Sequence, residues 1–106
     1  MSDTVFGKII AGEIPTNFVY EDDLCVVFKD INPKSQTHLL IVPRKAISSI
    51  AEMEEGDSEI IGHLFWVAKK LGDELGLKGY RLQVNVGKDG GQEVFHLHVH
   101  LLSNFG

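Results

Sequence analysis

Three histidines alternate with apolar residues near the C-terminal end of the chain, in the run His96-Leu97-His98-Val99-His100. An imidazole titrates near neutrality, so at pH 7 it can attack an electrophile, carry a proton or bind a metal. Side chains of an extended strand point alternately to its two faces. On such a strand the three imidazoles point one way, and Leu97, Val99 and Leu101 point the other. The apolar set makes a core face by itself. The histidine set needs a separate explanation, because burying ionisable rings without partners is costly.

Three readings of the run stay open at this level. The plainest is a set of hydrogen-bonded strand histidines with no chemistry. The second is zinc. A strand rises about 3.3 Å per residue, which sets His96 and His100 about 13 Å apart at their Cα atoms. Zinc holds its nitrogens at about 2.0–2.1 Å, so a metal would take two of the three and a histidine from another strand, such as His38. The third is nucleophilic attack on phosphorus, with flanking imidazoles orienting the nucleophile, holding a proton or offsetting charge. The preceding segment favours phosphate. Gly90-Gly91-Gln92 offers unhindered backbone N–H groups, the kind that form anion-binding nests, and Asn85 ends the neighbouring predicted strand as a further donor. Cys25 is the only cysteine, with no histidine in its local segment, and is not read as a ligand. His63 sits next to an apolar helix stripe and reads as a surface or edge residue.

These residues need a scaffold, and the pattern supplies an α+β one. A short helix is expected over Val5–Ala11, capped by Thr4 and ended by Gly12. Strands are expected over Asn17–Glu21, Leu24–Ile31, Thr37–Pro43, Tyr80–Val86 and Phe95–Leu102, with Asp22-Asp23, Asn32-Pro33-Lys34-Ser35 and Asp89-Gly90-Gly91 as turns. In the second strand Leu24, Val26, Phe28 and Asp30 share one face, and Cys25, Val27, Lys29 and Ile31 the other. Ser48–Glu54 reads as a helical turn. Ile60, Leu64, Val67, Ala68, Leu71 and Leu75 make one apolar stripe on a helix over Asp57–Leu75, ended by Gly76. Gly72 inside it costs about 1 kcal/mol relative to alanine. The sum is a five-stranded, mainly antiparallel sheet with one long helix against a face.

Composition narrows the function. The 106 residues form one domain's worth of chain, with 43% apolar and 24% charged residues. No apolar run approaches the roughly 20 residues that span a bilayer. A lone cysteine and no basic-then-apolar leader fit a cytoplasmic protein. The net charge is −5 without a cluster of Lys and Arg, which argues against a long nucleic acid as partner. A small anionic ligand remains compatible.

The stretch from Gly90 through Leu102 resembles the signature of the histidine triad family, H-φ-H-φ-H-φ-φ with φ apolar. Phe6-Gly7-Lys8-Ile9-Ile10, Glu13-Ile14-Pro15, Tyr20-Glu21-Asp22-Asp23, Phe28-Lys29-Asp30-Ile31-Asn32-Pro33, Thr37-His38-Leu39-Leu40-Ile41-Val42-Pro43 and Gly79-Tyr80-Arg81-Leu82 leading to Asn85 resemble its Hint branch in order and spacing. The likeness runs over nearly the whole chain, residues 1–106.

The resemblance implies a homodimer whose two five-stranded sheets join into one of ten strands. It implies hydrolysis of purine nucleoside phosphoramidates of AMP or GMP type, and of aminoacyl-adenylates, through a nucleotidyl-histidine intermediate and without a metal or cofactor. By the same resemblance His98 is the nucleophile, His96 and His100 flank it, and His38 is a fourth histidine linked to the triad. Asn85, with the Gly91-Gln92-Glu93 segment, lies at the phosphate. Val5, Phe6, Ile9, Phe28 and Ile31 wall the base pocket, and Asp30 holds the ribose hydroxyls. Dinucleoside polyphosphate hydrolysis and a nucleotide-binding scaffold are the alternatives. Glu93 stands where many eukaryotic members have serine and resembles bacterial members. Relatives continue past the triad with Gly-Gly-Arg and a longer tail, whereas this chain stops at Ser103-Asn104-Phe105-Gly106, which is expected to alter leaving-group selectivity.

Overall fold

The computed structural model describes residues 4–104; the last two residues of the short C-terminal segment lie outside it. Helix α1 spans Val5–Ile10, and Thr4 caps it by accepting the Gly7 N–H on its side-chain oxygen at 3.0 Å. Gly12 follows with φ 81°, a left-handed turn that glycine adopts without strain. Strands β1 (Tyr20–Glu21), β2 (Cys25–Lys29) and β3 (Thr37–Pro43) come next. Helix α2 covers Ser58–Glu74, preceded by two 3-10 turns at Ile50–Glu52 and Glu55–Asp57. Strands β4 (Arg81–Gln83) and β5 (Val99–Ser103) complete the chain.

The strand order is β1-β2-β3-β5-β4, and every pairing is antiparallel. The elements are those expected, with shorter edges. The second strand stops at Lys29, so Asp30 and Ile31 lie past its end. Asn85 likewise lies past β4. The helical turn expected over Ser48–Glu54 is a 3-10 turn at Ile50–Glu52.

The alternation of β2 and β3 divides the interior in two. Cys25, Val27, Leu39 and Ile41 face α2 and pack with Leu64, Val67, Ala68, Leu71, Val99 and Leu101. Val26, Phe28, Leu40 and Val42 face the other way and pack against Phe6 and Ile9 of α1. Each fully buried aliphatic side chain contributes about 1.5–3 kcal/mol, so the helix side holds most of the apolar stabilisation. The helix stripe departs from expectation at its ends. Ile61 packs on the core, and Leu75 is half exposed.

Gly72 has a packing reason. A Cβ there would lie 2.6 Å from Cε2 and 2.9 Å from Cζ of Tyr80. Alanine in place of a helix-interior glycine ordinarily stabilises by about 1 kcal/mol; here the ring must shift first. Gly72→Ala should therefore stabilise more in a Tyr80→Ala background than in the wild type, as measured by urea unfolding. Equal effects in both backgrounds would show that the two sites are not coupled.

Candidate functional site

A cleft of about 430 Å³ opens on the face of the sheet away from α2. Val5, Phe6 and Ile9 of α1 wall it on one side, with Phe28 and Leu40 as its sheet floor. Phe6 meets Phe28 edge-on at 5.5 Å between ring centroids. Asp30, Ile31 and Asn32 form one rim, and Asn85, Gly91, Glu93 and Val94 the opposite one. His98 and His100 lie between them. Ile14, Pro15, Thr16 and Lys29 also line the cleft, four positions to which the sequence assigned no site role.

The histidine run is not the uniform strand that its alternation predicts. Strand β5 begins at Val99, and His96 and His98 occupy the irregular approach to it. The register explains the break. Ile41 pairs with Val99, so continuation would bring Pro43 opposite Leu97, and proline has no N–H for the ladder. Leu97 instead donates its N–H to the Ile47 carbonyl at 2.7 Å. His96 then parts from the others. The residue is 1% exposed, its Nε2 donates to the Pro43 carbonyl at 2.7 Å, and it lines a separate depression with Gly7 and Arg44.

Partner chemistry fixes the ring protons. A peptide carbonyl only accepts. His98 Nδ1 lies 2.8 Å from the His96 carbonyl, so Nδ1 carries the hydrogen and the neutral ring keeps its lone pair on Nε2. The Lys34 N–H donates to His38 Nδ1 at 3.0 Å, which puts the His38 hydrogen on Nε2. That nitrogen lies 2.9 Å from His100 Nδ1 and 3.4 Å from Asp30 Oδ2. Donation to His100 Nδ1 leaves the His100 hydrogen on Nε2, which is buried with no hydrogen-bond partner among the described residues. His98 stands edge-on to Phe6 at 4.9 Å and to His100 at 4.8 Å.

A model of the HIT domain family matches residues 11–106. The chain belongs to the HIT domain family. It is 46% identical over 101 residues to an uncharacterized HIT-like protein of Synechococcus elongatus, covering 94% of this chain and 89% of that one. It is 47% identical over 104 residues to the 14 kDa zinc-binding protein of Zea mays, covering 95% and 81%. A HIT family hydrolase from Legionella pneumophila superposes with a TM-score of 0.91 at 47% identity, covering 95% of this chain and 92% of that one. A histidine triad protein from Clostridium difficile gives a TM-score of 0.93 at 42% identity, covering 98% and 92%.

Within this HIT fold two expected phosphate contacts change. Gly90, Gly91 and Gln92 do not present free backbone donors. Their N–H groups bond the Gly87, Lys88 and Gly87 carbonyls, closing a 3-10 turn over Lys88–Gly90. The Gln92 side chain is buried away from the cleft. It accepts the Gly87 N–H and donates to the Ser48 and Val94 carbonyls, tying the glycine loop to the segment after β3. Gly91 keeps a place on the rim, with φ 87°. Asp30 is also busier than expected, since Oδ1 accepts the Asn32 N–H at 2.8 Å.

The residues with metal-ligating atoms here are Asp30, His38 and His100, whose atoms lie within 4.8 Å of one another. His96, which the zinc reading allowed as a ligand, is not among them. The donor and acceptor roles from Lys34 to His38 to His100 match without a cation.

Burial lowers the pKa of all four histidines. For His38 it outweighs the opposing charge of Asp30, and for His96 and His98 it outweighs the hydrogen bonds to peptide carbonyls. His100 falls furthest, to about 4, through burial and then the charges of His98 and His38. All four rings are therefore neutral at pH 7. On unfolding they return toward 6.5, so between about 4 and 6.5 the unfolded chain binds more protons and stability rises with pH. The contribution is fully present above pH 6.5 and is lost as pH falls through that window. Urea unfolding midpoints should drop on acidification across it, with a smaller drop in His100→Asn. A pH-independent midpoint would contradict the neutral, buried assignment.

Proposed function

We propose that this HIT protein hydrolyses the P–N bond of purine nucleoside 5′-phosphoramidates, and the P–O anhydride bond of aminoacyl-adenylates, with His98 as nucleophile. One observation carries the reading. The bond from His98 Nδ1 to the His96 carbonyl leaves the Nε2 lone pair free, on a neutral ring, inside a cleft of a size that suits a small ligand. The Legionella relative is named a HIT family hydrolase, which agrees with hydrolysis as the reaction type.

In this reading the base lies between the α1 wall and Phe28, and the sugar points to Asp30. His100 Nε2–H supplies a hydrogen bond to a phosphate oxygen, which answers its lack of a partner among the described residues. His98 Nε2 bonds to phosphorus as the P–N bond breaks, and the amine departs with a proton. Water then attacks the same phosphorus, releasing the nucleoside monophosphate and restoring the neutral imidazole. Glu93, on the rim, relays the proton to the leaving amine. Positioning and transition-state stabilisation of this kind are the main catalytic resources for phosphoryl groups.

A metal-dependent reading has one observation in its favour, the convergence of Asp30, His38 and His100, and the name of the maize relative agrees with it. Release of AMP from adenosine 5′-phosphoramidate, with and without a chelator, separates the two. The wild type should be chelator-resistant, and His98→Ala should lose on the order of a thousandfold or more in kcat while retaining AMP binding. Turnover by His98→Ala at the wild-type rate would rule out the nucleophile. In the same assay Glu93→Ser should change the relative rates for amines of different basicity, and unchanged ratios would remove Glu93 from the proton path.

We propose further that the protein is a homodimer. Strand β4 is an open sheet edge, and Phe65 and Trp66 are exposed on α2 at 39% and 59%; edges and apolar faces of this kind are commonly covered by a second subunit. Sedimentation equilibrium should return twice the 11.8 kDa chain mass, and a monomer at micromolar concentration would contradict the proposal.

A further inference from the structure

On the opposite side of the sheet from the cleft, the turn between β1 and β2 meets α2. Asp22 comes from that turn, Cys25 opens β2, and His63 comes from the second turn of the helix. One ligand atom from each lies within 4.8 Å of the other two. His63 Nε2 is 2.6 Å from Asp22 Oδ2 although the residues are 41 positions apart. No histidine shares the local segment of Cys25; the fold brings His63 to it from α2.

We propose that Asp22, Cys25 and His63 form a thiolate-containing site for a zinc-class divalent cation. Sulfur, imidazole nitrogen and carboxylate oxygen are the donor set that zinc prefers. A tetrahedral ion with bonds of about 2.0–2.3 Å spaces its ligands about 3.3–3.8 Å apart. The cation therefore enters by opening the His63–Asp22 contact by roughly 1 Å and drawing the thiol inward. The Cys25 thiol proton passes to solvent as the S–metal bond forms. The thiolate and the Asp22 carboxylate then match the two charges of the ion, which leaves a neutral site at the edge of an apolar core.

The surroundings hold the ligands in place. Asp22 Oδ1 accepts the N–H groups of Leu24 and Cys25 at 2.8 and 2.9 Å, which turns Oδ2 toward His63. Arg44 Nε donates to the Asp22 carbonyl and fixes the turn itself. Such outer hydrogen bonds orient ligands in metal sites. Cys25 is fully buried, whereas the Asp22 and His63 side chains are about a quarter exposed, which gives the ion a way in and water a fourth position. The Tyr20 hydroxyl, 2.8 Å from Asp22 Oδ2, is the other candidate for that position. The site faces α2 and not the cleft, so it joins the β1–β2 turn to the helix and takes no part in catalysis.

Cobalt(II) titration of the metal-free full chain tests this. One cobalt per chain should produce a near-ultraviolet thiolate-to-metal charge-transfer band, and added zinc should bleach it. Cys25→Ser should abolish that band, and His63→Gln should weaken cobalt binding by about tenfold or more. No thiolate band in the wild type overturns the proposal. So does a band that survives in Cys25→Ser. Visible tetrahedral cobalt bands with no thiolate band would place the ion on Asp30, His38 and His100, and overturn it as well.

Discussion

The hydrogen bond from His98 Nδ1 to the His96 carbonyl, 2.8 Å long, decides what the other ring nitrogen can do. Because the acceptor is a peptide carbonyl, the tautomer does not depend on the protonation of a neighbour. The bond requires the backbone at His96 to leave the sheet, and Pro43 arranges that. Its missing N–H ends the ladder between β3 and β5, and its carbonyl then receives the His96 ring. One residue thus stops the strand and anchors the irregular segment that follows.

A second chain of donors reaches the same place from the other end of the sheet. The Lys34 N–H, His38 and His100 form a sequence in which each acceptor fixes the next donor. Neutral rings are essential to it, since a protonated His38 would place a hydrogen on the nitrogen that accepts from Lys34. Burial keeps the rings neutral, and the apolar residues on both sides of the sheet supply that burial. Gln92 does similar work for the rim. With three hydrogen bonds made inside the protein, it positions the glycine loop and leaves the cleft to its neighbours.

Much of the scaffold was legible because it follows from local period. Val26 and Phe28 separate from Cys25 and Val27 as a period of two requires, Thr4 caps α1, and Leu64, Val67, Ala68 and Leu71 turn inward as a period near 3.6 requires. The cleft walls at Val5, Phe6, Ile9 and Phe28 were legible through the resemblance. What stayed hidden depends on pairing across the fold. The histidine run reads as a full strand until its partner is known to end in proline. The Gly90-Gly91-Gln92 donors look free until the turn consumes them. Cys25 looks isolated until α2 delivers His63, since no local window contains both.

The central claim is that the free nitrogen of His98 makes a covalent bond to phosphorus. The most direct measurement is rapid quench of the wild type with adenosine 5′-phosphoramidate into alkali, which preserves a phosphorus–imidazole bond, followed by peptide mass spectrometry. The account predicts one adenylyl group per chain, on His98, formed as the amine is released and lost as AMP appears. Adenylyl on another residue, or amine and AMP appearing together with no protein-bound nucleotide at any time, would contradict it.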